Sequence, residues 1–339
     1  MNVNRQWILA KRPFGMVGRE NFEYREVPIP EAGDGEVLVR NLYLSFDPTQ
    51  RGWMEDRESY MPPVRIGEPM RAGAVGQVVE SNHPDYRRGE LVQNLGGWQD
   101  FTVVRPSPAM PMLTKLPPGI EPESALSVLG TTGQTAYWGL LDLGKPQGGE
   151  TVLVSGAAGA TGSVAGQIAR IKGCRVIGIA GGPEKCAWLT EQARFDGAID
   201  YKNEAVDARI GELCPNRVDI FFDNVGGGIL EAALNHIALR ARVVMCGGIS
   251  GYNATAPVPG PANLMNVVLM RARMEGFIVI DYMDRFAAAA RELMGWVQSG
   301  ELIYQVDVRE GFEHIPETLT RLFTGQNRGK QLLKIADAA

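Results

Sequence analysis

Apolar and polar positions alternate in two different ways along this chain. Up to about residue 120 the apolar runs are short and separated by Gly, Pro and Asn, as in Glu36-Val-Leu-Val-Arg40, Gly73-Ala-Val-Gly-Gln-Val-Val79 and Phe101-Thr-Val-Val104. Short runs bounded by turn formers predict a β-rich domain. From residue 151 onward, strand-like runs alternate with stretches of helical spacing: Thr151–Ser155, Arg175–Ala180, Gly197–Tyr201, Val218–Asp223, Arg242–Cys246 and Arg273–Ile280. That alternation predicts an α/β fold with a parallel doubly wound sheet, and six strands match the two halves of a full dinucleotide-binding fold. Between the two regions Pro117-Pro118-Gly119 closes the β-rich part, and Ala125–Leu129 and Thr135–Leu141 read as helix.

Helical phasing follows the same logic. Val164, Ile168 and Ile171 recur at i, i+4 and i+7, the stripe expected of a helix packed on a sheet. A terminal helix is predicted over Asp284–Gly300, with Asp284 as its cap, Phe286, Ala290, Leu293 and Val297 on one face, and Gly300 at its end. β character returns in Ile303–Asp307 and Gln331–Ile335, a tail predicted to complete the N-terminal domain.

The first βα junction carries the clearest chemistry. Strand Thr151–Ser155 runs into Gly156-Ala-Ala-Gly159-Ala160-Thr161-Gly162 and then into helical Ser163–Lys172. Small residues let the backbone approach a pyrophosphate, and the amides and positive dipole of the following helix stabilise its charge. The next strand ends in Gly181-Gly182-Pro183-Glu184-Lys185, with no carboxylate to bind a ribose 2′-hydroxyl. Two glycines and a lysine leave room and positive charge for a 2′-phosphate, so NADP is the expected cofactor. Lys185 is the candidate clamp; its rival description is an exposed lysine at a helix start, beside Glu184.

Composition then bounds the rest. With 339 residues, 45% hydrophobic and 22% charged, the chain is long enough for two ordinary domains. A net charge of −5 and the lack of a basic stripe argue against nucleic acid as a partner. No apolar run of about 18 residues offers a membrane span, and the N-terminus lacks a signal-peptide core. A cytoplasmic location is the default expectation. Cys174, Cys186, Cys214 and Cys246 are far apart, as are His83, His236 and His314, so neither a metal centre nor a disulfide framework is expected. Each cysteine reads as a small hydrophobe.

Taken together, the β-rich N-terminus, the glycine turn, Phe222-Asp-Asn224-Val-Gly-Gly227 and Cys246-Gly-Gly-Ile-Ser-Gly-Tyr252 resemble the medium-chain dehydrogenase/reductase superfamily. More narrowly, Tyr43-Leu-Ser-Phe-Asp47-Pro48, Ala180-Gly-Gly-Pro-Glu-Lys185 and Gly325-Gln-Asn327-Arg-Gly-Lys330 are similar to the zinc-independent prostaglandin reductase group, with its curcumin reductases and alkenal double-bond reductases. The resemblance runs nearly end to end. It implies a GroES-like β-rich catalytic domain over residues 1–125, completed by 301–339, and a Rossmann NADP-binding domain over 126–300. It also implies NADPH-dependent reduction of the carbon–carbon double bond of enones or enals without metal, and a homodimer paired edge to edge through Arg273–Ile280. Zinc enzymes of the superfamily carry a Gly-His-Glu motif where this chain has Gly67-Glu-Pro-Met-Arg-Ala-Gly73.

Residue by residue, the resemblance implies that Gly159, Ala160, Thr161 and Gly162 hold the pyrophosphate. Gly181, Lys185 and Tyr201 contact the 2′-phosphate. Asn224, Cys246, Gly247, Gly248, Ile249, Ser250, Tyr252, Phe277, Ile278, Val279 and Asn327 line the ribose and nicotinamide. Tyr252, in a loop at a strand's carboxyl end, is the first candidate to donate to the substrate carbonyl; it could instead contact the ribose, or simply pack over Pro257 and Pro259. Tyr60, in Glu58-Ser-Tyr60-Met-Pro-Pro63, is a second candidate donor or a surface aromatic.

Two departures bear on substrate. Family members often have Asp-Pro-Tyr-Met-Arg-Gly where this chain has Asp47-Pro48-Thr49-Gln50-Arg51-Gly52, and a Met-Pro pair where it has Thr131-Thr132. The first removes a familiar aromatic; the second predicts a more polar pocket that tolerates a hydroxylated substrate. Quinone reduction, or NADPH binding with little turnover, are the rival activities, because a dinucleotide fold establishes binding and not chemistry.

Overall fold

β-branched and aromatic runs between turn formers become strands, and the buried face of each is set by its period of two. The computed structural model describes residues 3–107 and 113–338. The chain divides into two units, Met1–Leu126 with Val306–Ala339, and Ser127–Gln305.

In the first unit β1 (Val3–Leu9) and β2 (Phe22–Pro28) pair antiparallel. A second sheet is centred on β3 (Val37–Ser45), which is followed by the short helix α1 (Thr49–Trp53). Its other early strands are β4 (Ala74–Ser81), β5 (Leu91–Asn94), β6 (Phe101–Val104) and β7 (Leu113–Lys115). Helix α2 (Pro122–Ala125) ends earlier than the predicted Ala125–Leu129 segment.

The second unit opens with α3 (Thr131–Trp138), which precedes the strands β8 (Thr151–Ser155), β9 (Arg175–Ala180), β10 (Gly197–Asp200), β11 (Val218–Asp223), β12 (Ile237–Met245) and β13 (Arg273–Gly276). They form one parallel sheet in the order β10-β9-β8-β11-β12-β13. This is the doubly wound order, with its reversal between β8 and β11, and it bears out the α/β expectation. Both faces are covered: Val152, Val154, Ile220 and Phe222 join one apolar cluster, while Leu153 and Phe221 join the other. Helix α4 (Ala160–Ile171) lays Val164, Ala165 and Ile168 on the first of these. The other helices are α5 (Pro183–Glu191), α6 (Val206–Leu213), α7 (Gly227–Asn235), α8 (Met265–Leu269) and α9 (Phe286–Gln298).

Two predictions for this unit need correction. The sixth strand stops at Gly276, not Ile280: the Phe277 ring packs over Gly139, and a 3-10 turn takes Val279–Arg285. Because that turn includes Asp284, the residue does not cap α9, which starts at Phe286 with no side-chain cap. Leu293 and Ala289 are its buried residues, and Gly300 follows it with a positive φ of 74°.

The tail consists of β14 (Val306–Glu310), a helix that sequence reading missed, α10 (Ile315–Thr324), and β15 (Lys330–Lys334). β14 lies three residues beyond the predicted start, and β15 pairs antiparallel with β3. Ile315, Leu319 and Leu333 pack with Trp7, Phe46 and Trp98 in one buried cluster. Lys330 is fully buried, donates to the Phe46 carbonyl at 3.0 Å and ion-pairs with Asp47.

Candidate active site

The glycine turn is held by its own backbone. The Gly159 amide donates to the Gly156 carbonyl at 3.0 Å, and the Ala157 amide donates to Ile179 on the neighbouring strand at 3.0 Å. Helix α4 then starts at Ala160, so the amides of Ala160, Thr161 and Gly162 fall in the first turn, where no preceding helical carbonyl can receive them. A Cβ on Gly162 would stand 2.9 Å from the Gly156 carbonyl carbon and 3.0 Å from Ala157 Cα. Only glycine lets the helix start sit this close to the turn. A dinucleotide pyrophosphate fits the result: a cradle of small residues with amides converging at a positive helix end.

The corner beyond β9 fits a 2′-phosphate. Gly182 has φ 97°, a conformation that favours glycine, and it ends the strand run just ahead of α5. Lys185 lies in the first turn of α5, next to Glu184. The Tyr201 ring lies against Gly181, at 2.8 Å from where a Cβ would be. Gly181, Lys185 and Tyr201 therefore belong to one corner of the fold.

That corner also contains a carboxylate which the sequence reading did not assign. Asp200, at the end of β10, accepts from the Gly182 amide at 2.7 Å, from Asn203 Nδ2 at 2.7 Å and from the Lys202 amide at 3.1 Å. Burial alone would raise its pKa, but these donors outweigh it and hold the carboxyl below the usual range. Its role is to fix the Gly181–Gly182 loop. A polar residue closing the apolar run Gly197–Ile199 was the available signal.

At the sheet reversal the carboxyl ends of β8, β11 and β12 are joined by a hydrogen-bonded network. Ser155 Oγ donates to Asp223 at 2.6 Å and accepts the Asn224 amide at 2.8 Å, while Asn224 Nδ2 donates to the Ser155 carbonyl at 2.7 Å. Asp223 is fully buried and also accepts the Val225 and Gly226 amides, at 3.0 and 3.1 Å. Burial raises its pKa, partly countered by the Ser155 hydroxyl and these amides. The Cys246 and Gly247 amides donate to the Asp223 carbonyl at 2.9 and 3.1 Å, and Ser250 Oγ donates to the Val225 carbonyl at 2.6 Å.

The structure thus brings Asn224 together with Cys246, Gly247, Gly248, Ile249, Ser250 and Tyr252, with Ser155 and Asp223 as unpredicted braces. Tyr252 Oη accepts the Gly248 amide at 3.3 Å. Burial and the nearby Asp223 push the Cys246 thiol up to about 12, which leaves no thiolate for chemistry at neutral pH. Phe277, Ile278 and Val279 follow β13 at the same end of the sheet, as turn and not strand.

Tyr60 and Asn327 belong to the first unit. Tyr60, 41% exposed, accepts from Trp53 Nε1 at 3.2 Å and makes a short hydroxyl contact with Thr49. Asn327, in the loop before β15, donates to the Gly329 carbonyl at 2.9 Å. The Thr132 hydroxyl is committed to the Ser127 carbonyl at 2.9 Å, so one of the two hydroxyls expected to polarise a pocket instead ties the start of α3. Among the described residues no group of three or more His, Cys, Asp or Glu is arranged to hold a metal ion, and no helix is long and apolar enough to cross a membrane.

Comparison with known proteins agrees with this geometry. Residues 5–112 match the family described as the N-terminal domain of oxidoreductase, and residues 160–296 match the family described as zinc-binding dehydrogenase. The chain is 42% identical over 341 residues to the NADPH-dependent curcumin reductase of Escherichia coli, covering 98% of this chain and 97% of that one. It is 37% identical over 333 residues to prostaglandin reductase 1 of Bos taurus, covering 97% and 98%. The crystal structure of CurA in complex with NADPH from Vibrio vulnificus superposes with a TM-score of 0.93 at 39% identity, covering 98% of this chain and 99% of that one. The chain belongs to the medium-chain dehydrogenase/reductase superfamily, within the zinc-independent group of the prostaglandin, curcumin and alkenal reductases.

Proposed function

We propose that this protein reduces the carbon–carbon double bond of α,β-unsaturated ketones or aldehydes with NADPH. The observation that carries the reading is the Asn224 and Cys246–Tyr252 network at the sheet reversal, in a chain 42% identical to a curcumin reductase. NADPH, when bound, supplies a hydride to the β-carbon. As that bond forms, the π electrons move toward the carbonyl oxygen, which needs a hydrogen-bond donor. Tyr252 takes this role: accepting the Gly248 amide polarises its O–H toward donation. Tyr60, polarised by Trp53 Nε1, is the second donor. Solvent protonates the α-carbon, which balances the addition of hydride and proton.

The cofactor residues of this proposal are Gly159 to Gly162 for the pyrophosphate, Gly181, Lys185 and Tyr201 for the 2′-phosphate, and Asn224, the 246–252 loop, Phe277 to Val279 and Asn327 for the ribose and nicotinamide. The proposed domains are a catalytic one over residues 1–125 with 301–339 and an NADP-binding one over 126–300. The test is loss of NADPH absorbance with a simple enone. Tyr252→Phe should lower kcat by about 100-fold, the cost of one oxyanion donor. Full activity in that variant removes Tyr252 from the mechanism, and turnover with NADH as good as with NADPH removes the 2′-phosphate assignment.

A homodimer in the cytoplasm is part of the same reading. Among the described residues β13 pairs with a strand on one side only, and α8 exposes Met265, Val268 and Leu269 at 61–63%. An unpaired edge with apolar residues alongside is what strand pairing between copies would cover. Light scattering should give twice the chain mass, and Val268→Glu should shift it toward one chain; a wild-type monomer at micromolar concentration refutes the pairing.

A further inference from the structure

A buried cation stands at the C-terminal end of the loop that bears Asn327. Lys330 opens β15, and its side chain is 2% exposed. Its ammonium donates to the Phe46 carbonyl at 3.0 Å and ion-pairs with Asp47, whose other carboxylate oxygen accepts from Ser45 Oγ at 2.6 Å. Asp47 in turn starts the corner that leads into α1. Its carbonyl accepts the Gln50 amide at 3.0 Å, and its own amide donates to Gln50 Oε1 at 3.2 Å. Thr49, whose hydroxyl meets Tyr60, lies inside that corner. On the other side of Asn327 the loop is tied to Asp307, which accepts the Arg328 amide at 3.2 Å and ion-pairs with Arg321 at 2.8 Å. Arg321 also donates to the Gln326 carbonyl at 3.2 Å. The Asn327 loop is therefore anchored at both ends, and its Lys330 anchor reaches the Thr49 corner.

We propose that Lys330 is a positioning residue, which locks the Asn327 loop to the Asp47–Gln50 corner so that a nicotinamide-side group and a carbonyl-side group of the β-rich unit keep a fixed spacing. The proposal rests on the reductase reading above and adds a pair, Lys330 and Asp47, that acts through Asn327 and Thr49. A buried ion pair is a poor source of stability beside apolar packing of the same volume, because both charges lose their hydration. What it supplies here is geometry: the ammonium takes a carbonyl and a carboxylate from consecutive residues, and a shift of either segment breaks the set. Burial lowers the Lys330 pKa, and the attraction of Asp47 opposes that fall. Hydride transfer is sensitive to such spacing, since a misplacement of about 1 Å can cost about 100-fold in rate.

Lys330→Met keeps most of the buried volume and removes the ammonium. It should lower kcat for a simple enone by about 10- to 100-fold, while the NADPH dissociation constant rises by less than about threefold because the phosphate contacts are untouched. Lys330→Met with Asp47→Asn leaves no buried charge unpaired, so it folds where the single variant does not, and it should show the same low kcat. Asn327→Ala is the third arm: in that background Lys330→Met should change kcat by less than about threefold, since the loop then has no side chain to position. An unchanged kcat, a kcat that tracks the denaturant midpoint across the single and double variants, or a Lys330→Met effect of the same size with and without Asn327 overturns the proposal. If the wild type reduces no enone at all, the reductase reading fails separately, and amide hydrogen exchange decides the coupling. Asp47→Asn should then speed exchange at residues 325–329, and Lys330→Met should speed it at residues 49–53, with β1 and β2 unchanged. Exchange altered only in the substituted segment refutes the coupling.

Discussion

Gly162→Ala offers a direct check on how closely the phosphate cradle is built. The added Cβ would sit 2.9 Å from the Gly156 carbonyl carbon and 3.0 Å from Ala157 Cα, and nearer still to the Gly156 oxygen. Ordinary contact begins at 3.4 Å, and the approach to the Gly156 oxygen decides the displacement: the turn or the helix must move by about one ångström. Neither moves freely: Gly156 and Ala157 are tied to Gly159 and Ile179, and Val164, Ala165 and Ile168 are at most 1% exposed. Overpacking of this kind costs about 1–3 kcal/mol, and the reduced freedom of the unfolded chain returns about 0.4–1 kcal/mol. A net loss of about 1–2 kcal/mol in the nucleotide-binding unit is expected. The same shift lengthens two or three amide contacts to the pyrophosphate, each worth about 1 kcal/mol, so NADPH should bind about 10- to 100-fold more weakly. Fluorescence titration with NADPH measures the second effect and denaturant unfolding the first. Gly228→Ala is the control, because its Cβ would meet nothing within 4 Å on the exposed side of α7; it should leave NADPH binding unchanged and add stability. A folded Gly162→Ala protein that binds NADPH within twofold of wild type would refute the steric argument.

Two further outcomes follow from the 2′-phosphate corner. Lys185→Ala should lower the NADPH-to-NADH ratio of kcat/KM by about tenfold, with NADH little affected, since one charge-assisted contact is lost; an unchanged ratio reduces Lys185 to a surface lysine. Asp200 has a folded pKa below its ordinary 3.8, so its stabilising effect is complete above that value and is lost as pH falls through the lowered one. The stability advantage of wild type over Asp200→Asn, read from denaturant midpoints, should therefore be full at pH 7 and shrink below pH 3.8; a constant difference would show that the carboxylate charge is not what holds Gly182.

The strands of the nucleotide-binding sheet were legible because each is an apolar run cut off by turn residues, as a sheet covered on both faces requires. The sixth strand was overrun for the same reason. Phe277–Ile280 continues the apolar pattern, but Gly139 offers Phe277 a packing site that ends the pairing at Gly276. Helix α10 did carry a readable signal in Ile315, Leu319, Leu322 and Phe323, at helical spacing, between two β runs that drew attention away from it. The bracing carboxylates were illegible in a stricter sense. Asp200 and Asp223 close apolar strands, which marks them as unusual, yet their partners Gly182 and Ser155 lie 18 and 68 residues away. Only strand order brings these pairs together.

The altered positions show how a substitution read in isolation misleads. At Thr49 the sequence suggests a lost aromatic; in the structure its hydroxyl meets the phenol of Tyr60, which also accepts from Trp53 Nε1. A larger side chain at position 49 would have to displace that phenol, so the threonine and Tyr60 are one arrangement and not a deletion beside an unrelated residue. Thr132 is the opposite case: its hydroxyl looks like pocket polarity but is bound to the Ser127 carbonyl. Thr49, Tyr60, Trp53 and Arg71 are thus one cluster in the β-rich unit, in which the phenol of Tyr60 meets the Thr49 hydroxyl and Trp53 Nε1 and the Arg71 guanidinium stands over the Trp53 ring, so a substitution at any one of them acts on the others.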